Sequence, residues 1–130
     1  MTTIADTTNS TRARVEDLVQ KVLAGKALDA FDAYYADDVA MQENSQLPLV
    51  GKQANRVREE QFFSTIEEFH NAEVPNVVVE GELAVIRWKM DVTTIDGTRM
   101  AYDQLALQTW RDGRIVSEQF FYDTATMVVK

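Results

Sequence analysis

Three carboxylates and one imidazole set the chemistry open to this chain. It has a single histidine, His70, and no cysteine. There is therefore no thiolate nucleophile and no disulfide. A His/Cys zinc site cannot be assembled within one chain, and any Ser-His-Asp triad would have to use His70. What remains are carboxylates, tyrosines and amides, the side chains that move protons and donate hydrogen bonds.

Asp103 shares its alternation with Leu105 and Leu107, which places it on the core side of a strand. A buried carboxylate resists ionisation, so its pKa should rise, suiting it to donate a hydrogen bond or serve as a general acid or base. The plainer reading puts it at the wet rim of a sheet, bonded to loop amides. Glu43 continues the face of Val39 and Met41 at the end of a short strand. Two carboxylates at one pocket mouth can have their pKa values pushed apart, giving one base and one acid. A solvated strand end is the alternative. Glu118 shares a face with Phe120 and Tyr122 and is a third pocket acid, or else half of a surface salt bridge. His70 lies four residues after Ile66 and seven after Phe63, on an apolar helical stripe. It is more simply a packed histidine bonding a last-turn carbonyl, and remains an outside candidate for ligand binding. Tyr35, Trp88 and Tyr122 are the aromatics placed to line a pocket.

These groups need elements to hold them. Val15, Leu18, Val19, Val22 and Leu23 recur at helical spacing, with Ser10 or Thr11 as a cap and Gly25 as a stop. Residues 1–10 read as a flexible lead-in. "ALDAFDAYY" predicts a short second helix with Leu28, Phe31 and Tyr35 on one side. A brief strand over Val39 to Glu43 and a loop with Pro48 and Gly51 follow. The third helix is "KQANRVREEQFFSTIEEFH", residues 52–70, with Phe62, Phe63, Ile66 and Phe69 on one face and "RVREE" as a solvated face.

Beyond Asn71 the period becomes two. Strands are expected at 74–80, 83–94, 98–111 and 114–123, separated by the turns "EGEL", "IDGT" and "RDGR". On the second of these, Ala84, Ile86, Trp88, Met90 and Val92 share a side opposite Arg87, Lys89 and Asp91. On the last, Phe120 and Tyr122 oppose Ile115 and Phe121, while Trp110 opposes Leu105 and Leu107. The layout is one α+β domain over 1–130, a curved antiparallel sheet wrapped around three N-terminal helices. Such a sheet makes a cone with an internal pocket for a small ligand. Aromatics on the sheet's outer face point to a homodimer through that face.

The 130 residues carry a net charge of −8. A field of that sign repels phosphate backbones, which argues against nucleic-acid partners. No apolar run is long enough for a membrane span and no secretory signal is evident, so a cytoplasmic location is expected. "VGKQAN" lacks a phosphate-loop pattern.

The segment "LAGKALDAFDAYYADDVAMQENSQLPLVGKQAN", Leu23 to Asn55, resembles the nuclear transport factor 2-like superfamily. It combines a helix ending in an "AG" turn, a "YADDV" segment, a short polar strand and a glycine opening the next helix. The tail "DQLALQTWRDGRIVSEQFFYD", Asp103 to Asp123, is similar to the SnoaL-like branch, which includes polyketide cyclases. Aligned on "YADD" and the following glycine, the catalytic base of the ketosteroid isomerases in this superfamily falls on Glu43. Their oxyanion-stabilising aspartate falls on Asp103. Their oxyanion tyrosine falls near Leu18, which cannot donate a hydrogen bond, and this argues against the steroid reaction itself. Superfamily members that hydrolyse epoxides use an Asp-Arg-Asp set, for which Arg87 and Arg99 would lie on the face opposite Asp103.

The resemblance implies a cofactor-independent isomerase, cyclase or lyase without a metal, acting on a small apolar or polyketide-like carbonyl compound. The alternative is a non-catalytic small-molecule-binding or dimerisation module of the same fold.

Overall fold

The computed structural model describes residues 3–129. Three helices come first, α1 (Ile4–Leu23), α2 (Ala27–Tyr34) and α3 (Lys52–Ser64). Strands β1 (Tyr35–Glu43) and β2 (Leu49–Val50) lie between α2 and α3, and β3 (Ile66–Glu80), β4 (Leu83–Thr94), β5 (Arg99–Arg111) and β6 (Arg114–Phe121) follow. A short 3-10 turn, Thr124–Thr126, comes after β6.

Helix α1 starts earlier than the apolar spacing alone indicates. Thr3 and Asp6 form a reciprocal capping box, so the expected flexible lead-in is helical from Ile4 onward; Met1 and Thr2 lie outside the described residues. The helix ends in a Schellman motif. Gly25 takes φ +80°, its N–H bonds Val22 O, and the N–H of Lys26 bonds Lys21 O. Val15, Leu18 and Val19 face the core, where Ala30 and Phe31 of α2 meet them.

The third helix is shorter than expected. It stops at Ser64, and "IEEFH", read as its last turns, is instead the start of β3. The residues pair with β4, Ile66 with Thr94 and Phe69 with Val92. Backbone hydrogen bonds to a long neighbouring strand outweigh the helical spacing of the aromatics. Register shifts at Ile66/Glu68, Phe69/Asn71 and Glu73/Asn76 bend this edge strand.

The sheet has six strands in the order β2-β1-β6-β5-β4-β3. It is mixed rather than wholly antiparallel, because β1 runs parallel to β6. The β5–β6 hairpin turns through Asp112 and Gly113, at φ 52° and 77°, the left-handed pair that an Asp-Gly two-residue turn supplies.

The inner face of β4 is as predicted, with Ala84, Ile86, Trp88 and Val92 all buried. The face of β5 is the reverse of the expectation. Ala106, Gln108 and Trp110 point inward, and Leu105 and Leu107 are exposed. On β6 the register shifts between the Thr109–Ser117 and Trp110–Ile115 pairs, leaving Val116 as an extra residue. This bulge puts Ile115 and Glu118 on the same buried face, whereas strict alternation would separate them.

Candidate active site

Between the helices and the inner face of the sheet lies a cavity of about 280 Å³. Helices α1 and α2 contribute only apolar side chains to it, among them Leu18, Val22 and Phe31. Three carboxylates line the same space, Glu43 from the end of β1, Glu59 from α3 and Glu118 from β6, with Arg58 next to Glu59. A mainly apolar hollow with a few converging polar groups is the usual form of a small-molecule site.

Glu118 lies deepest, 2% exposed. One carboxylate oxygen, Oε1, accepts from the Tyr35 hydroxyl. The other, Oε2, accepts from Gln108 Nε2 at 2.7 Å. Gln108 is in turn held by Trp110, whose Nε1–H donates to Gln108 Oε1 at 3.0 Å. The Tyr35 ring stacks on Phe31 with centroids 4.3 Å apart. Burial pushes the Glu118 carboxyl up to about 7, against the pull of the Tyr35 and Gln108 hydrogen bonds and with a further push from Glu59. Burial and the Glu118 carboxylate together drive the Tyr35 hydroxyl well above the ordinary tyrosine range.

Glu59 is also raised to about 7, chiefly by desolvation; Arg58 opposes the shift and Glu43 adds to it. Asn55, one turn earlier on α3 and fully buried, fixes this helix. Its Nδ2 donates to Leu49 O at 2.9 Å and Gly51 O at 2.8 Å. Its Oδ1 receives Arg58 Nη2 at 3.0 Å, which sets one edge of the guanidinium.

Glu43 ends β1 at the cavity. The next residue, Asn44, adopts φ 48° and stitches β1 to β6. Its N–H donates to Phe120 O at 2.7 Å, and its Oδ1 receives the Tyr122 N–H at 3.0 Å. Asparagine tolerates this left-handed geometry better than most residues. Tyr102 and Tyr122 line the cavity with Glu43, and burial, then the Glu43 charge, raises both hydroxyls.

The structure thus gathers Glu43, Tyr35, Trp88, Glu118 and Tyr122 around one cavity. Asp103 is not among them. It lies on the outer face of β5, paired through both oxygens with Arg87 at 2.9 and 2.8 Å. Arg87, expected across the sheet, is its neighbour on the same side. That pairing holds the Asp103 carboxyl below the usual range, opposite to the rise expected of a core position. Nor does His70 reach the cavity; it sits on β3, with Nε2 2.7 Å from Thr93 Oγ1.

Sequence reasoning missed Glu59, Arg58, Gln108 and Tyr102. Glu59 was legible: it lies three residues before Phe62 and four before Phe63, on the stripe that marks the inner face of α3. Among the described residues, no group of three His, Cys, Asp or Glu side chains is placed to hold a metal ion. Nor is any described helix long and apolar enough to cross a membrane.

The profile of the SnoaL-like domain matches residues 6–122. A candidate SnoaL-like polyketide cyclase from Mesorhizobium loti is 30% identical, with 93% of this chain and 100% of that one covered and a TM-score of 0.73. A second candidate SnoaL-like polyketide cyclase, from Jannaschia sp. CCS1, is 16% identical with a TM-score of 0.80, covering 96% and 91% of the two chains. An LEH-like epoxide hydrolase from M. tuberculosis is 16% identical with a TM-score of 0.74, covering 92% and 87%; at that identity both likenesses speak for the fold. None of the curated proteins matches the chain. With the profile spanning most of its length, and a 30% identical structure matched end to end, the chain belongs to the SnoaL-like domain family, of the nuclear transport factor 2-like fold.

Proposed function

We propose that this protein is a cofactor-independent enzyme that enolises a small, largely apolar carbonyl compound and so isomerises, cyclises or cleaves it. The observation that carries this reading is the convergence of Glu43, Glu59 and Glu118 on one apolar cavity, with burial pushing Glu59 and Glu118 up to about 7. Carboxyls poised near the working pH exchange protons efficiently in either direction. Glu43 takes the proton from the carbon next to the carbonyl, and the C–H electron pair becomes the enolate double bond. The buried pair of neutral Glu118 and Tyr35 supplies the hydrogen bond that stabilises the oxygen, the role the alignment gave to Asp103. Return of the proton from Glu43 to a different carbon completes an isomerisation; attack of the enolate on an electrophilic carbon within the same substrate completes a cyclisation. The names of the cyclase relatives agree with this class of reaction.

The test is deuterium exchange. 2-Cyclohexen-1-one and acetophenone are incubated with the protein in D2O and followed by proton NMR. Protein-dependent exchange beside the carbonyl, falling on the order of 100-fold in Glu43→Gln, is the expected result. Binding without exchange would instead support a non-catalytic binding module. One observation favours that second reading: both oxygens of Glu118 are already hydrogen-bonded within the protein.

The assembly proposed is a homodimer through the outer sheet face, where Leu83, Leu105, Leu107 and Phe121 are exposed on strands adjacent in the sheet. A second copy presenting the same patch would cover it.

A further inference from the structure

The donor and acceptor inventory around Glu118 leaves only one place for its proton. An indole N–H can only donate, so Trp110 requires the oxygen of Gln108 to face it. The amide nitrogen of Gln108 must then face Glu118. That nitrogen also only donates, so Glu118 Oε2 accepts there, and a proton on Oε2 would have none of these side chains to bond. When Glu118 is neutral its proton therefore sits on Oε1, against Tyr35. All four side chains are buried, between 0% and 8% exposed, so these bonds to one another set the directions.

A hydroxyl that receives this proton as an acceptor no longer donates to Glu118, and its own hydrogen is released. We propose that Tyr35, a lining residue of the cavity, is the catalytic hydrogen-bond donor to the substrate carbonyl oxygen. Protonation of Glu118 on Oε1 turns Tyr35 toward the ligand, and Trp110 and Gln108 are positioning residues that fix the polarity of the chain. This deepens the acid–base reading above and rests on it. With Glu118 ionised, Tyr35 donates inward and offers a ligand only its lone pairs. With Glu118 neutral, Tyr35 offers a hydrogen. The carbonyl polarisation therefore exists below the Glu118 midpoint and fades above it.

The groups facing Glu118 are Tyr35 on β1, Gln108 on β5 and, across the cavity, Glu59 on α3. The helices α1 and α2 add no charge to the lining, while Arg58 and Glu43 share the cavity. An ionised Glu59 discourages ionisation of Glu118, so it favours the donating state of Tyr35.

The test uses the full chain, saturated with 2-cyclohexen-1-one labelled with carbon-13 at the carbonyl. The carbonyl infrared band is recorded from pH 5.5 to 8.5, with parallel carboxyl-carbon NMR of Glu118. In the wild type the band shifts to lower frequency at low pH and returns as Glu118 ionises. In Tyr35→Phe the shift disappears although Glu118 still titrates. Glu118→Gln can donate permanently to Tyr35, so there the shift persists at every pH. In Trp110→Phe, Gln108 is free to reverse its amide and accept from a proton on Oε2, and the Glu118 midpoint rises by about one pH unit.

A low-frequency band retained in Tyr35→Phe means that Glu118 donates directly, and overturns the relay while leaving the acid–base reading intact. An unmoved Glu118 midpoint in Trp110→Phe overturns the positioning role. Failure of the ketone to bind, or a wild-type band that never shifts, overturns the underlying reading together with the relay.

Discussion

Replacing Glu118 by glutamine should stabilise the protein in mild alkali. The rise of this carboxyl from 4.5 to about 7 means that folding opposes its ionisation. A group raised in this way contributes stability that is fully present below its unfolded value of 4.5 and is lost as pH climbs through about 7. The span corresponds to about 3 kcal/mol for one site. Glutamine fills the same volume and keeps both contacts. Its oxygen can accept from Gln108 and its amide can donate to the Tyr35 oxygen, so no buried polar atom is orphaned. The variant and wild type should therefore differ little at pH 4.5, and diverge by about 3 kcal/mol in favour of the variant at pH 8.5. The measurement is urea unfolding, followed by tryptophan fluorescence, across that range. Both proteins retain Glu59, so the difference between their curves isolates Glu118 apart from its charge coupling to Glu59. Parallel curves would refute the argument that this carboxylate is held in the fold at the expense of stability.

Asn55→Ala should cost about 1 to 3 kcal/mol, because it removes a buried amide that donates to the Leu49 and Gly51 carbonyls and accepts from Arg58; thermal unfolding measures the loss. Asp103→Asn should leave deuterium exchange of the ketone probes unchanged, since the pair with Arg87 lies on the outer face; a large fall in exchange would return Asp103 to the reaction. Leu105→Arg should shift the protein from dimer to monomer in light scattering at micromolar concentration, by placing like charges opposite each other across a two-fold interface; an unaltered mass would rule out this face.

Much of the architecture could be read directly from spacing. The order of helices then strands, the inner face of β4 and the three hairpins all follow from period and turn chemistry. The error at Asp103 came from a limit of alternation, which says which residues share a face but not which way that face looks. The information was present one step away. Thr94 N–H bonds Thr98 O, a pair with three residues between its members, so even-numbered positions pair with even-numbered ones. Trp88 pairs with Gln104 and Ile86 with Ala106. Since Ile86 and Trp88 face inward, Gln104, Ala106 and Gln108 must do so as well, and Asp103 must not. The bulge at Val116 is different in kind, because an inserted residue leaves the composition of a strand unchanged. The start of β3 was misread because Ile66 and Phe69 fit a helical period, and only pairing with β4 decides between the two.

The parallel contact of β1 with β6 separates the two halves of the cavity in time as well as in sequence. Glu43 and Phe120 are direct partners in that ladder, yet they stand 77 positions apart in the chain. The β3–β4–β5 hairpins can close from neighbouring residues while the polypeptide is still growing, but β1 has no partner in the sheet's interior until β6 has been made. Such distant pairing slows folding and leaves edges exposed meanwhile. Asn44, bonded to both Phe120 and Tyr122, is the clasp between these strands, and the cavity lined by Glu43 and Glu118 is complete only when it closes.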